Sequence, residues 1–427
     1  MNQDIFAELS WRGLVYQTTD DENIQAWLNE KPRTVYSGFD PTSDSLHVGN
    51  LMPLMMLRRF QRAGHKVIAL IGGATGMIGD PSGKSAERNL LNPEQLSHNI
   101  GCIEKQISSV LQSDENPATI LNNYDWIKEF SYIEFLRDVG KNFPVNVMMA
   151  KDSIKNRLEG ESGISYTEFS YMLLQAYDFV HLFKEHECEL QIGGSDQWGN
   201  ITAGIDLGRR MQSAKLLGLT NPLLTKSDGT KMGKTESGAI WLSAERTSPY
   251  QFYQYWVNVA DEDAAKSLRF LSELSEDEVE QLDKQREEAA HQRDSQKRLA
   301  EEVTRIVHGE DGLSSAIKAT EIFFGAEIND FSDNELNGIF GDGVPSAEVK
   351  RADLQGDGLS LLEAFIMTGL SKSKGEARRT LGQGGAYVNN RRIEDANYTL
   401  TPDDLASESI IVLRSGKKKY AILKVVD

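Results

Sequence analysis

Thr34-Val35-Tyr36-Ser37-Gly38-Phe39-Asp40-Pro41-Thr42 and Lys66-Val67-Ile68-Ala69-Leu70-Ile71-Gly72-Gly73 decide the fold class. Each is a short run of β-branched, aliphatic and aromatic residues that breaks off at a turn signal, so each reads as a buried strand. Residues 46–62 between them carry a helical pattern. Pro53 would cost about 3 kcal/mol in a helix interior, which places it in the first turn. Strand, helix and strand at this spacing form a right-handed parallel crossover. A further run at 189–192 leads into Gly193-Gly194 and a helix from about Asp196. The chain therefore reads as α/β with an open parallel sheet, which binds ligands beyond the carboxyl ends of its strands. Those ends are 40–42, 72–84 and 193–197.

A length of 427 residues calls for two or three domains. The hydrophobic share of 39% and charged share of 26% are those of a soluble globular protein. No apolar run reaches the roughly eighteen residues of a spanning helix, so no membrane segment is expected. Asp4 and Glu8 interrupt the first ten residues, which lack the basic-then-apolar order of a secretion signal. With only Cys102 and Cys188, disulfides are not the scaffold and a cytoplasmic setting is expected. The seven histidines form no His-Glu-x-x-His pair, so no protein-bound metal is expected.

Net charge is −18, which argues against a general nucleic-acid binder. Residues 358–427 differ, with eleven Lys and Arg against eight Asp and Glu, leaving 35 against 56 elsewhere. From 248 to 324 the pattern is helical, with Pro249 suited to a first turn and 276–300 a charged, solvated face. Residues 327–358 mix acidic residues, glycine and Pro345, and read as a linker with at most one short helix. Helix patterns follow at 359–370 and 371–381, then strand-like runs at 386–389, 410–413 and 420–426. The expected domains are 1–247, 248–325, a linker at 326–357, and 358–427.

Five segments carry chemistry. The glycine-rich stretch 72–85 fails as a P-loop, because the glycine that motif needs five residues before Gly83 is Ile78. It reads equally as a turn or as backbone approached by a ligand, with Asp80 accepting a cationic group. In Pro41-Thr42-Ser43-Asp44-Ser45-Leu46-His47-Val48-Gly49-Asn50, a helix start offers N–H groups to an anion, His47 adds a donor, and Gly49 permits close approach. Lys231-Met232-Gly233-Lys234-Thr235 places two lysines and a hydroxyl where a polyphosphate could be clamped. On the helix at 167–183, Tyr171, Gln175 and Asp178 share a narrow arc beside a broad apolar one, so a buried polar stripe forms a pocket wall. Lys372, Lys374, Arg378, Arg379, Arg391, Arg392, Lys417, Lys418 and Lys419 project from the small C-terminal module, as phosphate-backbone contacts require. Tyr250, Phe252, Tyr253, Tyr255 and Trp256 lie at helical spacing and read as core or subunit contact.

Residues 36–42 with His47-Val48-Gly49-Asn50 resemble the first signature of class I aminoacyl-tRNA synthetases, and 231–235 resemble their lysine loop. Residues 72–84, 171–178 and Gly193-Gly194-Ser195-Asp196-Gln197-Trp198-Gly199-Asn200 are similar to the bacterial tyrosyl-tRNA synthetases in particular. The resemblance covers nearly the whole chain. It implies a Rossmann-like catalytic domain, an α-helical domain, and a small α+β module of the alpha-L RNA-binding type.

The same resemblance implies activation of tyrosine with ATP and transfer of the tyrosyl group to tRNA, in a homodimer whose tRNA crosses between subunits. Tyr36 and Asp178 would take the substrate hydroxyl; Asp80, Tyr171 and Gln175 its ammonium group; Gln197 its carboxylate. Gly38, Asp40, Gly49 and Asp196 would hold ATP, with Thr42, His47 and Asn50 at the phosphates. Lys84, Arg88, Lys231, Lys234 and Thr235 would stabilise the departing pyrophosphate, with magnesium accompanying ATP. Asn50 stands where the general signature has a second histidine, and Gly233 and Thr235 where the general lysine loop has serines. The alternatives are a tryptophanyl-tRNA synthetase, which would gain nothing from the Tyr36 and Asp178 pair, and a non-enzymatic RNA-binding protein of synthetase descent.

Overall fold

A computed structural model describes residues 4–82, 91–159, 163–235, 238–329, 331–340 and 344–426. The chain forms two compact units, one of residues 1–247 and 255–307, the other of 248–254 and 308–427. Among the described residues no helix is long and apolar enough to cross a membrane.

The first unit is built on a six-stranded sheet: β1 (Gln17–Thr18), β2 (Thr34–Phe39), β3 (Lys66–Ile71), β4 (Thr119–Asn122), β5 (Cys188–Gly194) and β6 (Leu217–Asn221). Their order is β1-β6-β5-β2-β3-β4, all neighbours parallel except the antiparallel β1–β6 pair. Five of the six residues of β2 are buried, as expected for a central parallel strand packed on both faces. From β2 the chain runs outward through β3 and β4, then returns to the other side of β2 as β5 and β6. The reversal makes a crevice between β2 and β5 at their carboxyl ends. Tyr36 of β2 is in register with Gln191 of β5.

The helix expected at 46–62 begins later. Val48–Asn50 is a single 3-10 turn, and the α-helix α1 runs Leu51–Arg62, with Pro53 in its first turn. Local polar groups cause the delay. Gln106 accepts the Leu46 N–H at 2.9 Å, His47 Nδ1 accepts from Gly49 N at 3.0 Å, and Asn50 Oδ1 accepts from His47 N at 3.0 Å. These bonds hold His47 extended, at φ −117° and ψ 171°, outside the helix.

The long helix α2 (Tyr166–His186) starts on Ser165, whose side chain accepts from Glu168 N, and ends on Glu187 in the left-handed region. It packs on α3 (Trp198–Gln212), where Gly204 lets Phe179 approach; a Cβ there would lie 3.1 Å from the Phe179 ring. Its buried Glu168 forms a two-pronged pair with buried Arg157, at 3.0 and 2.8 Å.

Beyond Thr247 the chain is helical through 323, in Pro249–Val257, Asp261–Leu271, Glu276–Ala289 and Asp294–Phe323. Only Val279 of Glu276–Ala289 is buried, so that helix is the solvated one expected from its charge. Of the aromatic cluster, Phe252, Tyr253 and Trp256 are buried.

The second unit holds a five-stranded sheet of β7 (Ser346–Lys350), β8 (Ala386–Val388), β9 (Arg391–Arg392), β10 (Ile410–Ser415) and β11 (Lys419–Val426), in the order β9-β8-β10-β11-β7. The helices Leu361–Met367 and Lys374–Gly382 accompany it. Residues 326–357, read as a linker, thus supply an edge strand parallel to β11 and a helix at Asp333–Phe340. Edge strands are hard to see in sequence because alternate residues face water; in Ser346-Ala347-Glu348-Val349-Lys350 only Val349 is buried.

Removing the Glu168 carboxylate leaves a buried guanidinium uncompensated. Glu168→Ala is expected to lower unfolding free energy by about 3–5 kcal/mol, measured by urea denaturation; a loss under about 1 kcal/mol would show the pair to be dispensable.

Candidate active site

A cavity of about 630 Å³ opens in the crevice between β2 and β5. Its lining includes Tyr36, Gly38, Asp40, Thr42, His47, Gly49, Asn50, Asp80, Tyr171, Gln175, Asp178, Asp196, Gln197, Lys231 and Lys234, drawn from segments far apart in sequence. Of the remaining residues expected there, Lys84 and Arg88 lie outside the described residues. Thr235 is exposed on a short hairpin, its hydroxyl donating to Gly238 O at 2.9 Å.

At the deepest part Tyr36 and Asp178 are each only 1% exposed. The Tyr36 ring meets Phe179 edge-on at 5.1 Å, and among the described residues its hydroxyl meets no hydrogen-bond partner. Asp178 receives two donors, Trp126 Nε1 at 2.9 Å and Asn123 Nδ2 at 3.0 Å. Burial pushes the Asp178 carboxyl up to about 7, the two donors pull the other way, and the Asp40 charge adds a little upward. Burial first, and the Asp178 charge second, push the Tyr36 phenol well above its usual value, so it stays protonated.

Next to this pair the wall is acidic and amide-rich. Asp40 accepts from Tyr171 Oη at 2.9 Å and from Thr75 Oγ1 at 2.8 Å. Asp80 accepts from Gln197 Nε2 at 2.7 Å and Ser82 N at 2.9 Å, and Gln197 Oε1 receives Asn200 at 3.1 Å and Gln175 at 3.4 Å. Asp40 is thus tied to Tyr171 on α2. Four aspartates, Asp40, Asp80, Asp178 and Asp196, line the one cavity and favour a cationic group on whatever enters it.

The opposite sign lines the rest. Because His47 Nδ1 accepts the Gly49 N–H, its Nε2 is left to carry the proton as a donor. The lysine loop reaches the same place: Ile240 O accepts from Val48 N at 3.0 Å, and His47 pairs with Trp241. Gly233 has φ +83°, and a Cβ there would sit 2.7 Å from Val48 Cβ. Only glycine lets the turn between Lys231 and Lys234 pack against Val48, the residue after His47. Tyr255 fixes the loop by accepting from Gly233 N at 2.8 Å. Gly38 is open on its Cβ side, so backbone faces the cavity there.

Two family patterns match this chain. The one described as tRNA synthetases class I (W and Y) covers residues 28–325, and the C-terminal domain described as tyrosine–tRNA ligase SYY-like covers 335–423. A tyrosine–tRNA ligase of Rhodopirellula baltica is 58% identical over 424 residues, spanning 99% of this chain and 97% of the relative. Tyrosine–tRNA ligase 1 of Bacillus subtilis is 50% identical, with 98% and 99% covered. The chain belongs to the tyrosine–tRNA ligase family of class I tRNA synthetases.

Among solved structures, a C-terminally truncated mitochondrial tyrosyl-tRNA synthetase of Aspergillus nidulans is 29% identical, with a TM-score of 0.68 over 75% of this chain and 94% of its own. A Plasmodium falciparum tryptophanyl-tRNA synthetase shares the fold at 17% identity, with a TM-score of 0.55 over 78% of this chain and 87% of its own. The synthetase's C-terminal match starts at 335 and takes in β7, so the edge strand belongs with the C-terminal domain pattern. Lys372, Lys374, Arg378, Arg379, Arg391, Arg392, Lys417, Lys418 and Lys419 are all exposed in the second unit, several with local acidic partners: Glu363 for Lys374, Asp404 for Arg391, Glu394 for Arg392.

Asn123 and Trp126 went unread in the sequence. Their signal is positional: Asn123-Tyr124-Asp125-Trp126 directly follows β4, at the carboxyl end of a parallel strand, where such sheets bind ligands. The strand escaped notice because none of its four residues is fully buried.

A raised carboxyl pKa stabilises the fold at low pH. The Asp178 contribution is complete below about pH 4 and is lost as pH rises through 7, at up to about 1.4 kcal/mol per pH unit. The melting temperature of Asp178→Asn, measured without ligands, is expected to gain on that of the unaltered protein from pH 5 to pH 8. Parallel curves would contradict the buried carboxyl's shift.

Proposed function

We propose that this synthetase forms tyrosyl-adenylate in the β2–β5 crevice and then passes the tyrosyl group to the terminal ribose of a tyrosine tRNA. The observation that carries the reading is the buried, partnerless Tyr36 hydroxyl beside Asp178. Such a pair suits a ligand that offers one donor and one acceptor, which is what a phenol does. The substrate hydroxyl donates to Asp178 and accepts from Tyr36. An indole lacks the acceptor, and a phenyl ring leaves both groups unsatisfied.

With the ring so placed, Asp80, Tyr171 and Gln175 take the ammonium group, and Gln197 lies toward the carboxylate. ATP enters along Gly38, Asp40, Gly49 and Asp196, with its phosphates toward Thr42, His47 and Asn50. Lys84, Arg88, Lys231, Lys234 and Thr235 meet the pyrophosphate. A carboxylate oxygen of tyrosine attacks the α-phosphorus in line, the bond to the bridging oxygen breaks, and pyrophosphate leaves with its negative charge met by the lysines. A ribose hydroxyl of tRNA then attacks the carbonyl carbon and AMP departs. Magnesium accompanying ATP would supply further positive charge to the leaving group that Lys231 and Lys234 meet. The protein contributes placement and charge rather than a covalent nucleophile.

Tyr132, Ile133, Val145, Val147, Met149 and Tyr166 are large, apolar and exposed on the first unit. So many from neighbouring segments supports a second copy of the chain as their cover, hence a homodimer. The exposed basic residues of the second unit are the tRNA contact. Free Cys102 and Cys188 suit a cytoplasmic setting.

Exchange of labelled pyrophosphate into ATP should depend on tyrosine and fall by about 100-fold or more in kcat/KM for Asp178→Ala, which strands the neighbouring donors. The triple change Lys374→Glu, Arg378→Glu, Arg379→Glu should leave that exchange intact while weakening tRNA charging. Dependence on tryptophan, or on no amino acid, would overturn the assignment.

A further inference from the structure

The acceptor of the substrate hydroxyl is held by a donor that is itself held. Trp126 Nε1 donates to Asp178 Oδ1 at 2.9 Å, yet Trp126 lies only half-buried in a short helix, Tyr124–Ile127. One side of the indole packs on the cluster that contains Tyr36 and Phe179. The imidazole of His181 also lies against it, nearly parallel, with ring centroids 4.2 Å apart and planes 16° apart. Asp178 and His181 are three residues apart on α2, so they sit on one face of that helix. A single rigid element thus presents both the carboxylate and the ring that braces its donor.

Resting on the reading of Asp178 as hydroxyl acceptor, we infer that His181 is a positioning residue for tyrosine recognition, clamping the Trp126 indole so that its N–H stays on the Asp178 carboxyl. The ring works by shape and stacking, not by proton transfer: His181 is not among the residues that line the cavity. Burial lowers the His181 pKa, Glu185 opposes that, and His186 and Lys184 reinforce it, so the imidazole facing Trp126 is neutral at pH 7. Tyr177, with its ring 6.4 Å from His181, completes the aromatic surround. A neutral flat ring is all the clamp requires. Phenylalanine should therefore replace it, whereas a side chain of similar bulk without a flat face should not.

The test compares His181→Leu with His181→Phe in tyrosine-dependent pyrophosphate exchange. His181→Leu is expected to raise the KM for tyrosine by about three- to tenfold, the worth of one stacked ring pair. The KM for ATP should not move, and His181→Phe should return tyrosine KM to within about twofold of the unaltered enzyme. Equal rises in both KM values, no rise for the leucine variant, or no rescue by phenylalanine would each overturn the inference. If His181→Leu does not fold, the phenylalanine variant still decides, since any rise beyond about twofold contradicts a role carried by the flat ring. Should the unaltered enzyme fail to respond to tyrosine at all, the functional reading falls instead.

Discussion

A carboxyl group buried to 1% exposure at the bottom of a cleft is the constraint around which this synthetase is arranged. Burying Asp178 costs free energy in either protonation state unless donors reach it. Asn123 and Trp126 supply them, and their own positions follow from it. Asn123 also donates to Thr75 at 3.1 Å and accepts from Ala74 N at 2.7 Å, which ties the end of β4 to the loop after β3. Thr75 in turn donates to Asp40 at the end of β2, and Asp40 accepts from Tyr171. One hydrogen-bonded chain therefore links three strand ends to α2 around the buried Asp178.

The phosphate end rests on a steric constraint. A loop carrying two lysines can neutralise a leaving pyrophosphate only if it lies close to the first signature. That approach is possible because Gly233 has no side chain to collide with Val48. In the general lysine loop a serine stands there; in this chain the positive φ and the contact both demand glycine. The Asn50 departure has a similar logic. Its carbonyl oxygen is spent on the His47 backbone N–H, so its part in the cleft begins with holding His47 in place.

How much of this was legible in the sequence follows from burial. Strands β2 and β3 lie in the middle of the sheet, where both faces need apolar residues, and each shows as an unbroken run. The polar stripe on α2 was legible for the converse reason: Asp178 among Met172, Leu173, Ala176 and Phe179 is anomalous in a buried helix. Strands β1, β4 and β7 stayed hidden because they are short or lie at sheet edges, whereas β6 is wholly buried but is a five-residue run interrupted by Gly218, Thr220 and Asn221, which blur its apolar pattern. The delayed start of α1 depends on Gln106, sixty residues away, which periodicity cannot register. The stacking of His181 on Trp126 joins two segments with no local pattern between them.

We propose that one cleft reads a phenol at its closed end and meets phosphates at its open end. A crystal structure with a non-hydrolysable tyrosyl-adenylate analogue tests it most directly. The phenol oxygen should lie within hydrogen-bond distance of both Tyr36 Oη and Asp178, with the phosphate toward His47 and the adenosine along Gly38 and Asp196. An analogue bound with its ring away from Asp178, or with its phosphate remote from His47, would contradict the account.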